Sequence, residues 1–208
     1  MYVERYYNSI APFNDLLTRV GSLGAFPGLH RAAADALELS PGEVALDLCC
    51  GSGLMIPHLR QRLTECGRII AVDRSDKMLE VLRNKIERAG WHNVELIRHD
   101  VSTFKPAVQV DGVVFSLSLS AIPECEKVLR IASTFLKPGR RMVIVDAFLN
   151  QGRWYYPLTN AYTSLKARVV GSNLGNHIRE TAAATLDDVR IVNLHAGLYS
   201  LISGSRPA

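Results

Sequence analysis

From Val44 onward the chain alternates short, nearly unbroken apolar runs with longer stretches whose apolar residues recur at helical spacing. Val44 to Leu48 is apolar on both faces apart from Asp47, the pattern of a strand covered on each side, and a helix is predicted from Leu54 to Glu65. Arg68 to Asp73 is a second strand. Ser75 then caps a helix in which Met78, Leu79, Leu82 and Ile86 share one face, and Gly90 ends it. Val94 to Ile97 and Asp111 to Ser116 read as strands three and four, Glu124 to Leu136 as a helix, and Met142 to Ala147 as strand five. Val189 to Leu194 and Leu198 to Ser203, separated by His195-Ala196-Gly197, predict an antiparallel hairpin. Five β/α units followed by a hairpin predict an α/β fold: a Rossmann-like, doubly wound seven-stranded sheet with a reversed edge strand.

Two segments fall outside this repeat. Residues 1–40 carry an amphipathic stretch (Ile10, Phe13, Leu16, Leu17, Val20, Leu23), expected to form cap helices over a ligand, or to touch a membrane surface or apolar substrate. Residues 148–185 hold Phe148, Trp154, Tyr155, Tyr156 and Tyr162 and are expected to contribute a substrate lid above the carboxyl edge of the sheet. The chain thus divides into cap helices (1–40), a cofactor-binding core (41–147), a lid insertion (148–185) and a terminal hairpin (186–208), all within one domain of 208 residues.

The first strand ends in Asp47-Leu48-Cys49-Cys50-Gly51-Ser52-Gly53, and the second ends in Asp73. Glycines let a backbone approach a ligand closely, and an acid at the tip of the second strand accepts hydrogen bonds from ribose hydroxyls. A dinucleotide site wants a third glycine where this chain has Ile56, and Asp47 would repel a pyrophosphate. The acid suits a ligand carrying an ammonium and a sulfonium. The stretch resembles the glycine-rich signature of class I S-adenosylmethionine-dependent methyltransferases, with Cys49 in place of the first glycine. A thiol at that position is expected to keep the backbone out of glycine-only angles and to pack inward beside the turn.

That resemblance implies S-adenosylmethionine as cofactor and a set of contacts. Gly51 and Gly53 would shape the turn under the methionine portion, with Asp47 near its ammonium. Asp73, flanked by Arg74 and Met78, would take the ribose. Asp100 and Val101 would face the adenine, and Ser116, after Phe115, would lie under the sulfonium. Tyr7 to Leu17, with Ala11-Pro12-Phe13-Asn14-Asp15-Leu16, is similar to the opening segment of quinone C-methyltransferases, with Asn14 where those have tyrosine. Val114 to Pro123, Leu136-Lys137-Pro138-Gly139, Val145 to Phe148 and Gly197 to Gly204 are closer to bacterial phospholipid N-methyltransferases. The acceptor is therefore expected to be small or amphiphilic, with a phospholipid head-group amine as the first choice. O- or C-methylation of a quinone-like or secondary-metabolite acceptor is the alternative, and a non-catalytic methyltransferase-like partner subunit is a third reading, kept open by Cys49 and Asn14.

Composition narrows the picture modestly. A net charge of +4 fits an acidic substrate or an anionic surface, but there is no long basic block. The region after strand four, Ser116-Leu117-Ser118-Leu119, lacks the Asn/Asp-Pro-Pro-aromatic motif of nucleic-acid amino-methyltransferases, so no nucleic-acid partner is expected. The four cysteines lack paired metal spacing, which argues for free thiols and no metal. No apolar run is long enough for a membrane span and no secretory leader is visible, so a cytoplasmic protein is expected, with peripheral membrane contact as a further option. Candidate proton acceptors for an amine or phenol are His99, Asp146, His177 and Tyr6 or Tyr7. The oligomeric state is not legible.

Overall fold

Parallel strands with buried side chains on both faces organise the computed structural model, which describes residues 8–21, 26–174 and 176–208. Seven strands form one sheet: β1 (Val44–Leu48), β2 (Arg68–Asp73), β3 (Val94–Arg98), β4 (Val110–Ser116), β5 (Leu136–Asp146), β6 (Asp187–Leu194) and β7 (Tyr199–Ser205). Their order is β3-β2-β1-β4-β5-β7-β6. The first five run parallel, and β7 runs antiparallel to both β5 and β6, sitting between β5 and the outermost strand β6. The order reverses at β1 and β4, so the carboxyl ends of these two strands open onto the crevice where such sheets bind ligands.

The unbroken apolar runs follow from the two covered faces. Ala45 packs with Leu29, Leu59, Ile69, Leu82 and Val143 on one face. Leu46 and Leu48 pack with Phe115, Leu129, Ile144, Ile178 and Ala182 on the other. Helices α1 (Asn14–Gly21), α2 (Phe26–Ala36), α3 (Ile56–Leu63), α4 (Asp76–Ala89), α5 (Cys125–Ser133), α6 (Tyr156–Val170) and α7 (Ile178–Thr185) complete the layers. The capping read from sequence is present in α4: Ser75 Oγ accepts from Met78 N at 3.1 Å, and Gly90 closes the helix at φ +63°.

Several boundaries differ from expectation. Helix α3 starts at Ile56, because residues 51–55 are used up in the turn, with Pro57 in its first turn. Helix α5 stops at Ser133, and strand β5 begins at Leu136, since Leu136 already pairs with Val110 across the irregularity between Val110 and Gly112. The segment 148–185 divides in two: α6 borders the crevice, whereas α7 buries Ile178 and Ala182 against the sheet. Among the cap residues, α2 belongs to the core through Leu29, Ala33 and Ala34. Ile10 reaches the crevice, Phe13 and Leu16 are exposed, and Leu23 and the side chains of Leu17 and Val20 lie outside the described residues.

Candidate functional site

A cavity of about 650 Å³ opens at the carboxyl ends of β1, β2 and β4, a size usual for small-molecule sites. Its floor is the turn after β1. Gly51 and Gly53 adopt φ +53° and +78°, and Cys49 also lies in the left-handed region at φ +59°. The thiol does not keep the backbone from this conformation. The angle is open to any small side chain at a cost of about 1–2 kcal/mol, and the turn is pinned by Cys50 N donating to Val72 O at 3.0 Å and Gly53 N to Cys50 O at 2.9 Å. Leu117, after β4, has φ +56° as well, so both strand ends that frame the cavity hold a strained non-glycine residue. A Cβ on Gly51 would meet only open space, whereas one on Gly53 would lie 2.3 Å from Leu82 Cδ1. The two glycines therefore differ in role: Gly51 faces the cavity, and Gly53 lets α4 approach.

Asp47 and Asp73 set the electrostatics. Asp47 is 1% exposed, and neither carboxylate oxygen has a hydrogen-bond partner among the described residues. Burial, reinforced by the neighbouring Asp73, pushes its pKa up to about 8. Asp73 ties the turn to the start of α4: its Oδ2 accepts from Gly51 N and its Oδ1 from Ser75 N, both at 2.8 Å. Burial raises the Asp73 pKa, and the backbone N–H groups of Ser75, Gly51 and Arg74, with the Arg74 charge, offset part of that rise. A carboxylate offers about four lone-pair sites, so capacity remains for a ligand. The buried hydroxyls of Ser116 and Ser118, also on the wall, have no hydrogen-bond partner among the described residues. An unsatisfied buried carboxylate and two unsatisfied hydroxyls around one cavity are what a cationic, hydrogen-bonding ligand would repair.

Of the residues singled out from sequence, Asp47, Gly51, Asp73, Arg74, Met78, Val101 and Ser116 line the cavity. Asp100 does not. Its Oδ1 accepts from Ser102 N and Ser102 Oγ, which hold the exposed carboxyl below its usual range, and its Oδ2 stands 3.8 Å from Arg74 Nη1. Among the proton-acceptor candidates, His99 borders the cavity. Asp146 does too, but it is 3% exposed and accepts three hydrogen bonds, from Ser120 N, Ser120 Oγ and Ala147 N. That pattern makes it a clasp between the ends of β4 and β5. His177 is exposed at the start of α7, away from the cavity, and Tyr6 and Tyr7 lie outside the described residues.

Other wall residues come from the segments expected to form the cap and the lid, where His30 and Lys166 had no signal of their own in the sequence. His30 of α2 is buried 5.8 Å from the His58 ring, and burial lowers its pKa to about 4. Helix α1 is fastened over the turn by a relay of polar groups. Asn14 Nδ2 donates to Ser52 Oγ (2.8 Å), Ser52 Oγ donates to Asp15 Oδ1 (2.7 Å), and Lys85 Nζ bridges Asp15 Oδ2 (2.5 Å) and Ser52 O (2.8 Å). On the opposite side, α6 contributes Tyr162 and Lys166, and β7 contributes Tyr199. Leu165 and Val169 line the cavity while being 62% and 52% exposed, so the cavity opens to solvent along α6.

Residues 39–183 match a family described as a methyltransferase domain. The chain is 25% identical to demethylmenaquinone methyltransferase from Desulfitobacterium hafniense, over 99% of this chain and 90% of that one. Its fold is similar to that of the [4+2]-cyclase SpnF (TM-score 0.68, 16% identity, 97% of each chain). It is also similar to that of the N-methyltransferase NodS from Bradyrhizobium japonicum, solved with S-adenosylhomocysteine (TM-score 0.67, 16% identity, 88% of each chain).

Proposed function

This chain belongs to the methyltransferase-domain family, and we propose that within it the acceptor is a quinol or related phenolic ring with an apolar substituent. The methyl donor is S-adenosylmethionine, which supplies an electrophilic methyl group on a sulfonium. The observation that carries this reading is the pairing of an unsatisfied acidic floor at Asp47 with a largely apolar wall along α6. One end of the cavity calls for a cation, the other for a hydrocarbon. The name of the demethylmenaquinone methyltransferase relative supports the same acceptor class. The head-group amine chosen first from sequence gains no such support, and the quinone alternative takes its place.

The residues divide the work as follows. Asp47 takes the ammonium of the methionine portion, which gives its buried carboxylate the partner it lacks. Gly51 lets that portion lie against the backbone. The remaining lone pairs of Asp73 take the ribose hydroxyls, with Arg74 beside them, and Met78 and Val101 enclose the base. Asp100 keeps its own turn in shape through Ser102 and acts on the base only through the backbone that follows it. Ser116 and Ser118 are placed to accept or donate at the junction of the two halves. Displacement at a methyl group needs little covalent help, so excluding water and fixing the acceptor within about 3 Å supply most of the advantage. The relay through Asn14, Ser52, Asp15 and Lys85 holds α1 closed over the turn for that purpose.

The exposed apolar residues Leu158, Leu165 and Val169 of α6, together with Phe13 and Leu16, suit an acceptor whose tail projects from the open side, and contact with a membrane surface that holds it. Among the described residues no helix is long and apolar enough to cross a membrane. The test is methyl transfer from labelled S-adenosylmethionine to a reduced demethylnaphthoquinone, with phosphatidylethanolamine and a simple catechol in parallel. Mass and fragmentation identify the methylated atom. Transfer to a ring carbon of the quinol supports the reading, and transfer only to the amine lipid refutes it.

A further inference from the structure

The end of the cavity away from the turn carries a cluster that cofactor binding does not use. Lys166 Nζ donates to Tyr199 Oη at 2.9 Å and stands 5.4 Å from the centre of the Tyr199 ring and 5.6 Å from that of Tyr162. Tyr162 and Lys166 are four residues apart on α6 and so share a face, while Tyr199 opens β7 from across the cavity. The surroundings are apolar: Leu165, Val169, Val170 and Leu174 line the same wall. Among the described residues, the titratable groups packed about this ammonium include Tyr162 on its own helix and Tyr199 on β7, with Asp146 at the end of β5 acting on Tyr199. Burial pushes the Lys166 pKa down and that of Tyr199 up to about 12, so the tyrosine remains a phenol at any working pH.

A half-buried ammonium set against the Tyr199 hydroxyl and beside the Tyr162 ring recognises a flat, electron-rich ring whose oxygen carries negative charge. We propose that Lys166, positioned by Tyr162 and Tyr199, binds the ring oxygen of the acceptor and holds it as a phenolate. The inference rests on the phenolic acceptor reading above and adds the residue that activates it. In the ionisation step the acceptor O–H bond breaks heterolytically, its electron pair stays on oxygen, and the proton passes to water at the open side of the cavity beside Leu165 and Val169. The retained pair is conjugated into the ring and raises the nucleophilicity of the adjacent carbon. Lys166 keeps its own proton throughout and acts as a fixed counter-charge.

Two measurements test this on the full chain. The first uses 1-naphthol as a probe, because its ionised form has a distinct absorbance. An ammonium within a few ångströms lowers a neighbouring acid by about 1–3 pKa units. Bound naphthol should therefore ionise at least one unit below free naphthol. Lys166→Met should abolish that shift and weaken naphthol binding at least tenfold, and Lys166→Arg should keep most of both. Titration with S-adenosylhomocysteine should be unchanged in both variants, which also reports that they are folded. The second measurement is the pH profile of quinol methylation, whose acidic limb should move upward by at least one unit in Lys166→Met. Naphthol that ionises on the wild-type protein as it does in water overturns the inference, as does wild-type behaviour of Lys166→Met in either measurement. A wild-type protein that shifts naphthol but methylates no quinol sinks the acceptor reading and leaves the phenolate site standing.

Discussion

Replacing Asp47 by Asn should move stability and cofactor affinity in opposite directions. Burial and the neighbouring Asp73 carry the Asp47 pKa to about 8 in the folded protein, about four above the ordinary carboxylate value of 3.8. An acid whose folded pKa lies above its unfolded value adds stability below the unfolded value and loses it as pH rises through the folded one. Each unit corresponds to about 1.4 kcal/mol, so the ligand-free protein gives up at most roughly 5 kcal/mol between pH 4 and 8 through this group. An amide has no proton to lose but still needs partners, so about half of that ceiling is the realistic gain. D47N should then raise the ligand-free Tm at pH 8 by about 4–12 °C, and the gain should shrink as pH falls toward 5. Affinity runs the other way, because an ammonium needs the ionised carboxylate. With a pKa of about 8, roughly 1% of the wild-type protein is ionised at pH 6 and half at pH 8, so S-adenosylhomocysteine should bind about fiftyfold tighter at pH 8. His30, with its pKa near 4, stays neutral in the folded protein throughout that window and adds no slope to the binding. Calorimetric titration at pH 6, 7 and 8 in two buffers of different ionisation enthalpy gives both the slope and the proton released. A flat wild-type affinity across this range, or a D47N Tm that tracks the wild type at pH 8, refutes the assignment.

Asp73→Ala should weaken S-adenosylhomocysteine by at least tenfold, since each charge-assisted bond to a ribose hydroxyl contributes roughly 1.5–3 kcal/mol; an unchanged dissociation constant in a folded variant would remove the ribose role. The same variant should lose some stability, because Gly51 N and Ser75 N lose their acceptor. Gly53→Ala should cost roughly 2–5 kcal/mol in urea unfolding, from a Cβ 2.3 Å from Leu82 Cδ1 and a φ of +78°. Leu82→Ala in the same chain should recover the steric part, and strict additivity of the two changes would count against it. Asp15→Asn should change stability by no more than about 1 kcal/mol, as the Lys85 pair is partly exposed, yet speed S-adenosylhomocysteine release several-fold in stopped flow. Anionic vesicles should co-sediment the protein at low salt, less so at high salt and less so after Leu165→Ser with Val169→Ser; no sedimentation at low salt would remove the membrane contact.

The part of this molecule that was legible in the sequence is the part built from short-range rules. Strand β1 announced itself by a run with no polar face, the turn by Gly51 and Gly53, and α4 by Ser75 and Gly90, because each is fixed by its own backbone needs. Cavity lining by Asp47 and Asp73 followed, since both lie at the carboxyl ends of adjacent parallel strands beside the sheet reversal. Asp100 was less tractable: Ser102, two residues on, captures its carboxylate, and no pattern of strands reveals that competition. Lys166 and Tyr199 were out of reach for a different reason. They are 33 residues apart, on a helix and a strand whose meeting depends on β7 entering between β5 and β6. Likewise His30 sat in a segment read as a cap, and only the docking of α2 on the sheet turns it toward the cavity.

That placement of β7 also orders events during synthesis. Strand β6 leaves the ribosome before β7, yet its partner in the sheet is β7. The five parallel strands and the turn after β1 can therefore pair among themselves while β6 is still without a neighbour. Tyr199, the first residue of β7, arrives with the strand that closes the sheet. A chain caught at this stage exposes the edge of β5, a template for pairing with another molecule.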